Sequence, residues 1–360
     1  MDYRAPLITA LLLTILFMVS CQDDYAPVSY QSYLSTHQYA VGQSNMTTVD
    51  TLRNRPIKTE IWYPTQDTTG ANVAAEYPFK LPPTSHDAPI IAGSLPLILL
   101  SHGTGGNRIS QMWLACELAS SGYIVAAVDH HGNTVDHKIP ENFVTVWDRP
   151  MDMSYALDEL LNTSRFHASI DTTKIGMAGF SLGGYTTIAL AGGQLNYDLL
   201  KEFSHTDEGQ IEFTLPELGD VSALITPQII EQGNTQYKNL KDHRMAAFVA
   251  MAPAIGQGFN DRSQIAQINN KILIIGAQED QRTPVATNAK HYHSLVEGSI
   301  YHELTGQVGH YIFMNEAKNG LKRHAPIVFK DHESIDRQAI HQEVAQMIRK
   351  FFDKELQVER

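Results

Sequence analysis

A serine hydroxyl becomes an effective nucleophile when a base takes its proton and an acid orients that base. The chain offers such a set in the order Ser181, Asp280, His310. Ser181 stands in Gly179-Phe180-Ser181-Leu182-Gly183-Gly184, after a short apolar run and before a stretch that reads as a helix from Leu182. A serine at a strand-to-helix turn is forced into a strained backbone conformation, with its hydroxyl raised above the sheet. Gly179 and Gly183 fit because a Cβ at either place would strike the neighbouring turn or helix. The helix points its free N–H groups and positive dipole end at the serine, where an oxyanion would form. By itself the pentapeptide also fits a glycine-rich junction with an incidental serine.

Asp280 lies in Gly276-Ala277-Gln278-Glu279-Asp280-Gln281-Arg282-Thr283-Pro284, after the apolar run 271–275. Thr283 and Pro284 read as a helix N-cap and first turn, which leaves Asp280 in the connecting loop. Glu279 is its rival, and a solvated loop carboxylate is the plain alternative for both. His310, in Gly309-His310-Tyr311, follows the last expected strand and both other members of the set. With 16 histidines in the chain, position selects it: His302 falls inside a strand, and His291 and His293 fall on a helix. The oxyanion hole needs two backbone donors. Leu182 N–H, directly after the nucleophile, is one; Thr104 N–H, in His102-Gly103-Thr104-Gly105-Gly106, is the other. Asp129-His130-His131 and His291-Tyr292-His293 hold metal-ligand types, but such spacing does not converge on one ion as an i, i+4 pair does, so no metal is expected. Arg149 and Asp152 read as a structural pair near a helix start.

The elements that must position these groups alternate. Residues 37–49 and 57–63 read as an opening antiparallel pair, and 65–94 as an irregular connection. Residues 95–100 (LPLILL) and 123–128 are apolar runs suited to strands buried on both faces of a parallel sheet. Helices are expected over 109–120 and 148–161, then from Leu182 to about 192. Residues 194–243 break the rhythm and read as an insertion forming a cap; a peripheral excursion is the alternative. Strands at 246–251, 271–275 and 299–304 and helices at 283–296 and 334–352 resume it. The expected fold class is α/β, a mostly parallel sheet with helices on both faces and an inserted cap. Residues 37–360 read as one domain.

Of 360 residues, 43% are hydrophobic and 18% charged, which fits a globular chain with a large core. The net charge is −12 with no basic stripe, so no nucleic-acid partner is expected. Residues 7–19 (LITALLLTILFMV) follow Arg4 and are too short for a span, which needs about 20 residues. With Met18-Val19-Ser20-Cys21 they resemble a bacterial lipoprotein signal, despite Met18 and a barely positive leading region. The resemblance implies a signal peptide over 1–20, a lipid on Cys21 that holds the chain to a membrane, and outer-membrane targeting through Gln22. An uncleaved anchor helix is the alternative. Residues 21–36 read as a tether. Cys116, in an apolar helical stretch, reads as a buried small hydrophobe.

Taken together, Trp62-Tyr63-Pro64, Ser101-His102-Gly103-Thr104-Gly105, Ala126-Ala127-Val128-Asp129-His130, Arg149-Pro150-x-Asp152, the Ser181 turn, Asp280-x-x-Thr283-Pro284 and Gly309-His310 resemble the platelet-activating-factor acetylhydrolase and predicted dienelactone hydrolase branch of the α/β-hydrolases. The resemblance covers about residues 37–330, and 194–243 match poorly. It implies the α/β-hydrolase fold and hydrolysis of carboxylic esters, short-acyl or lipid-like, without a cofactor. True dienelactone hydrolases use a cysteine nucleophile, so that substrate is not carried over. Residues 194–243 and 254–270 would shape the acyl pocket. The rival readings are a serine peptidase on the same fold and a non-catalytic binding lipoprotein.

Overall fold

The structure, a computed structural model, describes residues 28–162, 164–215 and 218–359. The signal segment, Cys21 and Gln22 lie outside the described residues. Its strands are β1 Ala40–Asp50, β2 Arg55–Thr65, β3 Thr84–His86, β4 Leu95–Ser101, β5 Ile124–Val128, β6 Ile170–Phe180, β7 Thr214–Leu215, β8 Gly219–Asp220, β9 Ala247–Met251, β10 Ile272–Ala277 and β11 Ile300–Leu304. Its α-helices are α1 Tyr30–Leu34, α2 Met112–Ser120, α3 Asp148–Asn162, α4 Leu182–Ala191, α5 Tyr197–Phe203, α6 Asp207–Phe213, α7 Pro227–Thr235, α8 Ala289–Leu295, α9 Asn319–His324, α10 Pro326–Phe329 and α11 Arg337–Glu355.

Among the described residues nine strands form the central sheet, in the order β11-β10-β9-β6-β4-β5-β2-β1-β3. From β11 to β5 neighbouring strands run parallel, while β2 pairs antiparallel with both β5 and β1. The apolar run in β4 explains its central place. Leu97 and Leu99 face Leu157 of α3 and Ile188 of α4, whereas Ile98 and Leu100 face Leu114 of α2 and Phe352 of α11. Alternation along one strand therefore fills both cores. The sheet and its covering helices are those of the α/β-hydrolase fold.

Several boundaries depart from the sequence expectation. The helix expected over 283–296 begins only at Ala289. Thr283 does not cap it, because its hydroxyl meets Asp280 Oδ2 at 2.9 Å and Ala252 O at 3.2 Å. Residues 65–94 contribute β3, parallel to β1. Within the stretch read as a tether, α1 docks on the domain. Tyr33 is buried, its hydroxyl donates to Cys116 O at 3.4 Å and its ring stacks on His37. Cys116 is itself fully buried in α2, and burial pushes its thiol pKa up.

Candidate active site

The turn between β6 and α4 carries the geometry that its residue types demand. Ser181 has φ 56° and ψ −120°, a left-handed conformation rare for a residue with a Cβ. Ser181 N–H donates to Met251 O at 2.9 Å, and Ser181 O accepts from Ala254 N–H at 3.0 Å, so flanking backbone holds the strain. A Cβ at position 179 would stand 2.0 Å from Gly183 O, and one at 183 would stand 2.0 Å from Ser101 O. Either overlap would push the turn off the sheet.

Asp280 follows β10 and His310 follows β11, at the same end of neighbouring parallel strands. The two loops are joined where Glu279 N–H donates to Val308 O at 2.9 Å. Asp280 is buried, whereas Glu279 is exposed. Asp280 Oδ1 accepts from the N–H groups of Arg282 and Thr283 at 2.8 and 2.7 Å, which fixes the carboxylate plane. Its Oδ2 lies 2.7 Å from His310 Nδ1, and His310 Nε2 lies 3.0 Å from Ser181 Oγ. A carboxylate can only accept, so Nδ1 carries the proton and Nε2 is free to receive one from Ser181. Ser181 and His310 are 7% and 6% exposed, so both are shielded yet reach the cavity beside them.

Thr104 and Leu182 line the same cavity. Leu182 is the first residue of α4, so its N–H has no carbonyl one turn back. Thr104 is the second residue of a turn closed by Gly106 N–H to Gly103 O at 3.1 Å, with Gly105 at φ 62°; its own N–H takes no part in that bond. Gly103 lies against Ser181, since a Cβ there would be 3.1 Å from Ser181 Cβ.

The cavity holds about 770 Å³ and is mostly apolar. The segment 194–243 supplies one part of its wall through Leu200, Phe213, Leu215, Val221 and Ile225. α9 and α10 supply Leu321, Ile327 and Phe329, which sequence reasoning did not single out. A groove of about 840 Å³ elsewhere, lined by Arg53, Tyr155 and Tyr237 among others, has no histidine in its lining, so chemistry rather than size marks the site.

One further group was missed. Glu212, on α6, lines the cavity and accepts from Asn288 Nδ2 at 2.6 Å. Burial pushes its carboxyl up to about 7. A single glutamate in an irregular stretch carries no sequence signal for such a place. The remaining candidates are used elsewhere. His302 pairs with Glu343 at 3.6 Å, His293 meets Ser299 Oγ at 2.8 Å, and His131 packs its ring on His137. Arg149 and Asp152 do not pair with each other as the sequence suggests. Asp152 is held by Arg55 and His130, and Arg149 turns to neutral acceptors around Ser101 and His102. Both point inward from the first turns of α3, but toward different neighbours.

Ser181, His310 and Asp280 in contact beside an apolar cavity that Thr104 and Leu182 also line have the geometry a serine hydrolase would need on an α/β-hydrolase sheet. The family described as platelet-activating factor acetylhydrolase, isoform II, matches residues 15–138. That match takes in Thr104 but not Ser181, Asp280 or His310. Cutinase 2 of Thermobifida cellulosilytica is 30% identical over 96 residues, which are 26% of this chain and 33% of the cutinase. The chain thus spans about a third of the length of the curated relative it matches. A ferulic acid esterase from Streptomyces cinnamoneus superposes with a TM-score of 0.60 at 17% identity, over 93% of each chain. The fold is shared over 93% of each chain, and the family model and the cutinase that match in sequence carry names of ester hydrolysis.

Proposed function

We propose that this chain hydrolyses carboxylic esters through Ser181, His310 and Asp280. The observation that carries the reading is the run of contacts from Ser181 Oγ through His310 to Asp280, 3.0 and 2.7 Å long, beside an apolar cavity. Ser181 Oγ attacks the ester carbonyl while its proton passes to His310 Nε2. Asp280 stabilises the resulting imidazolium. The N–H groups of Leu182 and Thr104 hold the oxyanion, each typically worth about 10²–10³ in rate. Collapse expels the alcohol, which takes the proton from His310. Water then repeats the sequence on the acyl-enzyme and frees the acid. Since only a neutral His310 can accept a proton, the rate falls on acidification.

The apolar lining favours short-acyl or lipid-like esters over charged ones, because burying apolar substrate surface contributes roughly 25 cal/mol per Å². Lipid attachment at Cys21, with Gln22 directing the product to the outer membrane, belongs to the same proposal. The full-length chain and Ser181→Ala are to be compared on p-nitrophenyl esters from acetyl to palmitoyl. The expected result is turnover that drops by about 10⁴ or more in the variant. Equal turnover in both, or none on any ester, would sink the reading.

A further inference from the structure

Behind the nucleophile lies a second serine–histidine–aspartate relay. Ser101 Oγ–H donates to His130 Nε2 at 2.8 Å, and His130 Nδ1–H donates to Asp152 Oδ2 at 3.1 Å. All three residues are fully buried, so no substrate reaches them. The relay has a fixed polarity. Arg55 grips both oxygens of Asp152 at 2.8 Å, and Arg53 lies 3.0 Å from one of them. Burial, reinforced by the Arg149 charge, pushes His130 down to about 3, so its ring is neutral at ordinary pH. Ser101 must therefore spend its proton on His130, and it turns its lone pairs to Arg149 Nη2, 3.3 Å away.

Arg149 is the unusual member. Its guanidinium is buried and, among the described residues, its hydrogen bonds go to neutral acceptors: His102 O and Ser101 Oγ on Nη2, Asn133 Oδ1 on Nη1 at 3.4 Å and Thr186 Oγ1 on Nε at 3.3 Å. Asp152 acts on this charge only through space, its oxygens being held by Arg55 and His130, and a buried cation whose hydrogen bonds all go to neutral groups is costly. Its contacts converge on the two segments that carry the oxyanion donors. His102 O immediately precedes the Gly103–Gly106 turn, and Asn133 Oδ1 also accepts from Gly105 N–H at 3.0 Å. His130 N–H donates to His102 Nε2 at 3.2 Å, and His102 Nδ1–H donates to Gly103 O at 2.7 Å. Thr186 lies one turn into α4, the helix that begins at Leu182.

We propose that Arg149, oriented by the Ser101–His130–Asp152 relay, is a positioning residue for the oxyanion hole: it locks the loop bearing Thr104 N–H to the start of the helix bearing Leu182 N–H. Its positive charge also favours the negative oxygen that forms between those donors. The inference rests on the ester-hydrolase reading and adds to it a device that acts on the transition state more than on substrate binding.

The test uses the full-length chain with Ser101→Ala and Arg149→Lys. The first removes the hydroxyl that both receives Arg149 and donates to His130, and the second keeps the charge but not the fork. For each, kcat, KM and Tm are measured, with the affinity for a trifluoromethyl ketone, which forms a tetrahedral adduct with the serine. The expected result is kcat lower by about 10- to 100-fold, KM within about twofold, and ketone affinity lower by the same factor as kcat/KM, since a misplaced donor loses part of its effect. A merely structural role would lower Tm and leave the kinetic split and the ketone affinity unmoved. Ser101→Ala at wild-type kcat, or a rate loss with wild-type ketone affinity, would overturn the proposal, whether or not Arg149→Lys folds. An inert wild-type chain would bring down the ester-hydrolase reading and this inference with it; an active wild type with unaffected variants would bring down this inference alone.

Discussion

The most telling residue is Asp280, because its two oxygens do different work. Oδ1 accepts two backbone N–H groups, and Oδ2 faces His310 Nδ1. In Asp280→Asn the amide oxygen keeps the backbone donors, which places the NH₂ against His310. That NH₂ can only donate, so the imidazole must shift its proton to Nε2 and can no longer receive one from Ser181. We expect kcat lower by about 10⁴ with little change in Tm. Thermal melts beside steady-state kinetics check both, and a kcat within tenfold of wild type would remove Asp280 from the mechanism. The same reasoning separates the two serine–histidine–aspartate sets. Ser101 and Ser181 have similar partners, but only Ser181 sits on a strained turn at the edge of a cavity.

At the scale of elements, the segment 194–243 folds as α5, α6, the β7–β8 hairpin and α7, and part of it closes over the cavity. Thr206 caps α6 by accepting from Gly209 N–H at 3.0 Å, and α6 presents Glu212 to Asn288 and to Ile255 N–H. Glu212 binds its proton more tightly in the folded chain than in the unfolded one. Its contribution to stability is therefore largest below the ordinary glutamate value of 4.5 and is lost as pH rises from there through about 7. Glutamine mimics the protonated form. The Tm of Glu212→Gln relative to wild type should accordingly rise between pH 5 and pH 8, measured by calorimetry in buffers of matched ionic strength. A difference that stays constant or shrinks would show that the carboxyl is ionised throughout.

For the whole molecule, if Cys21 carries the proposed lipid, the docking of α1 sets how far the domain can stand from it. Eight residues separate Cys21 from Tyr30, and at full extension they reach about 30 Å. An anchored chain would thus hold its sheet close to the bilayer, where apolar esters concentrate. Metabolic labelling with palmitate should tag the wild type and not Cys21→Ser, and the variant should leave the membrane fraction with unchanged kcat on a short p-nitrophenyl ester. Label retained in Cys21→Ser, or an unlabelled wild type, would remove the lipid anchor from the proposal.

What the chain could reveal by itself followed from local rules. Apolar runs such as LPLILL alternating with helical stretches foretold a parallel sheet, because such runs suit strands covered by helices on both faces. The glycines around Ser181 foretold the tight turn, because the clash that excludes a Cβ arises within a few residues. Chain order then narrowed 16 histidines to His310. The rest depended on approach between distant segments. Thr283 looks like a helix cap in sequence, yet the arrival of Asp280 and Ala252 claims its hydroxyl and delays α8. Arg149 and Asp152 look like partners at i and i+3, yet Arg55 and His130 capture the carboxylate and free the guanidinium for His102 O, beside the Gly103–Gly106 turn. Glu212 acquires its environment only when α6 lies over the cavity. Backbone strain and strand periodicity are set by near neighbours, so sequence determined them; the partners of buried polar groups are set by competition among segments far apart in the chain, and only the tertiary structure decided them.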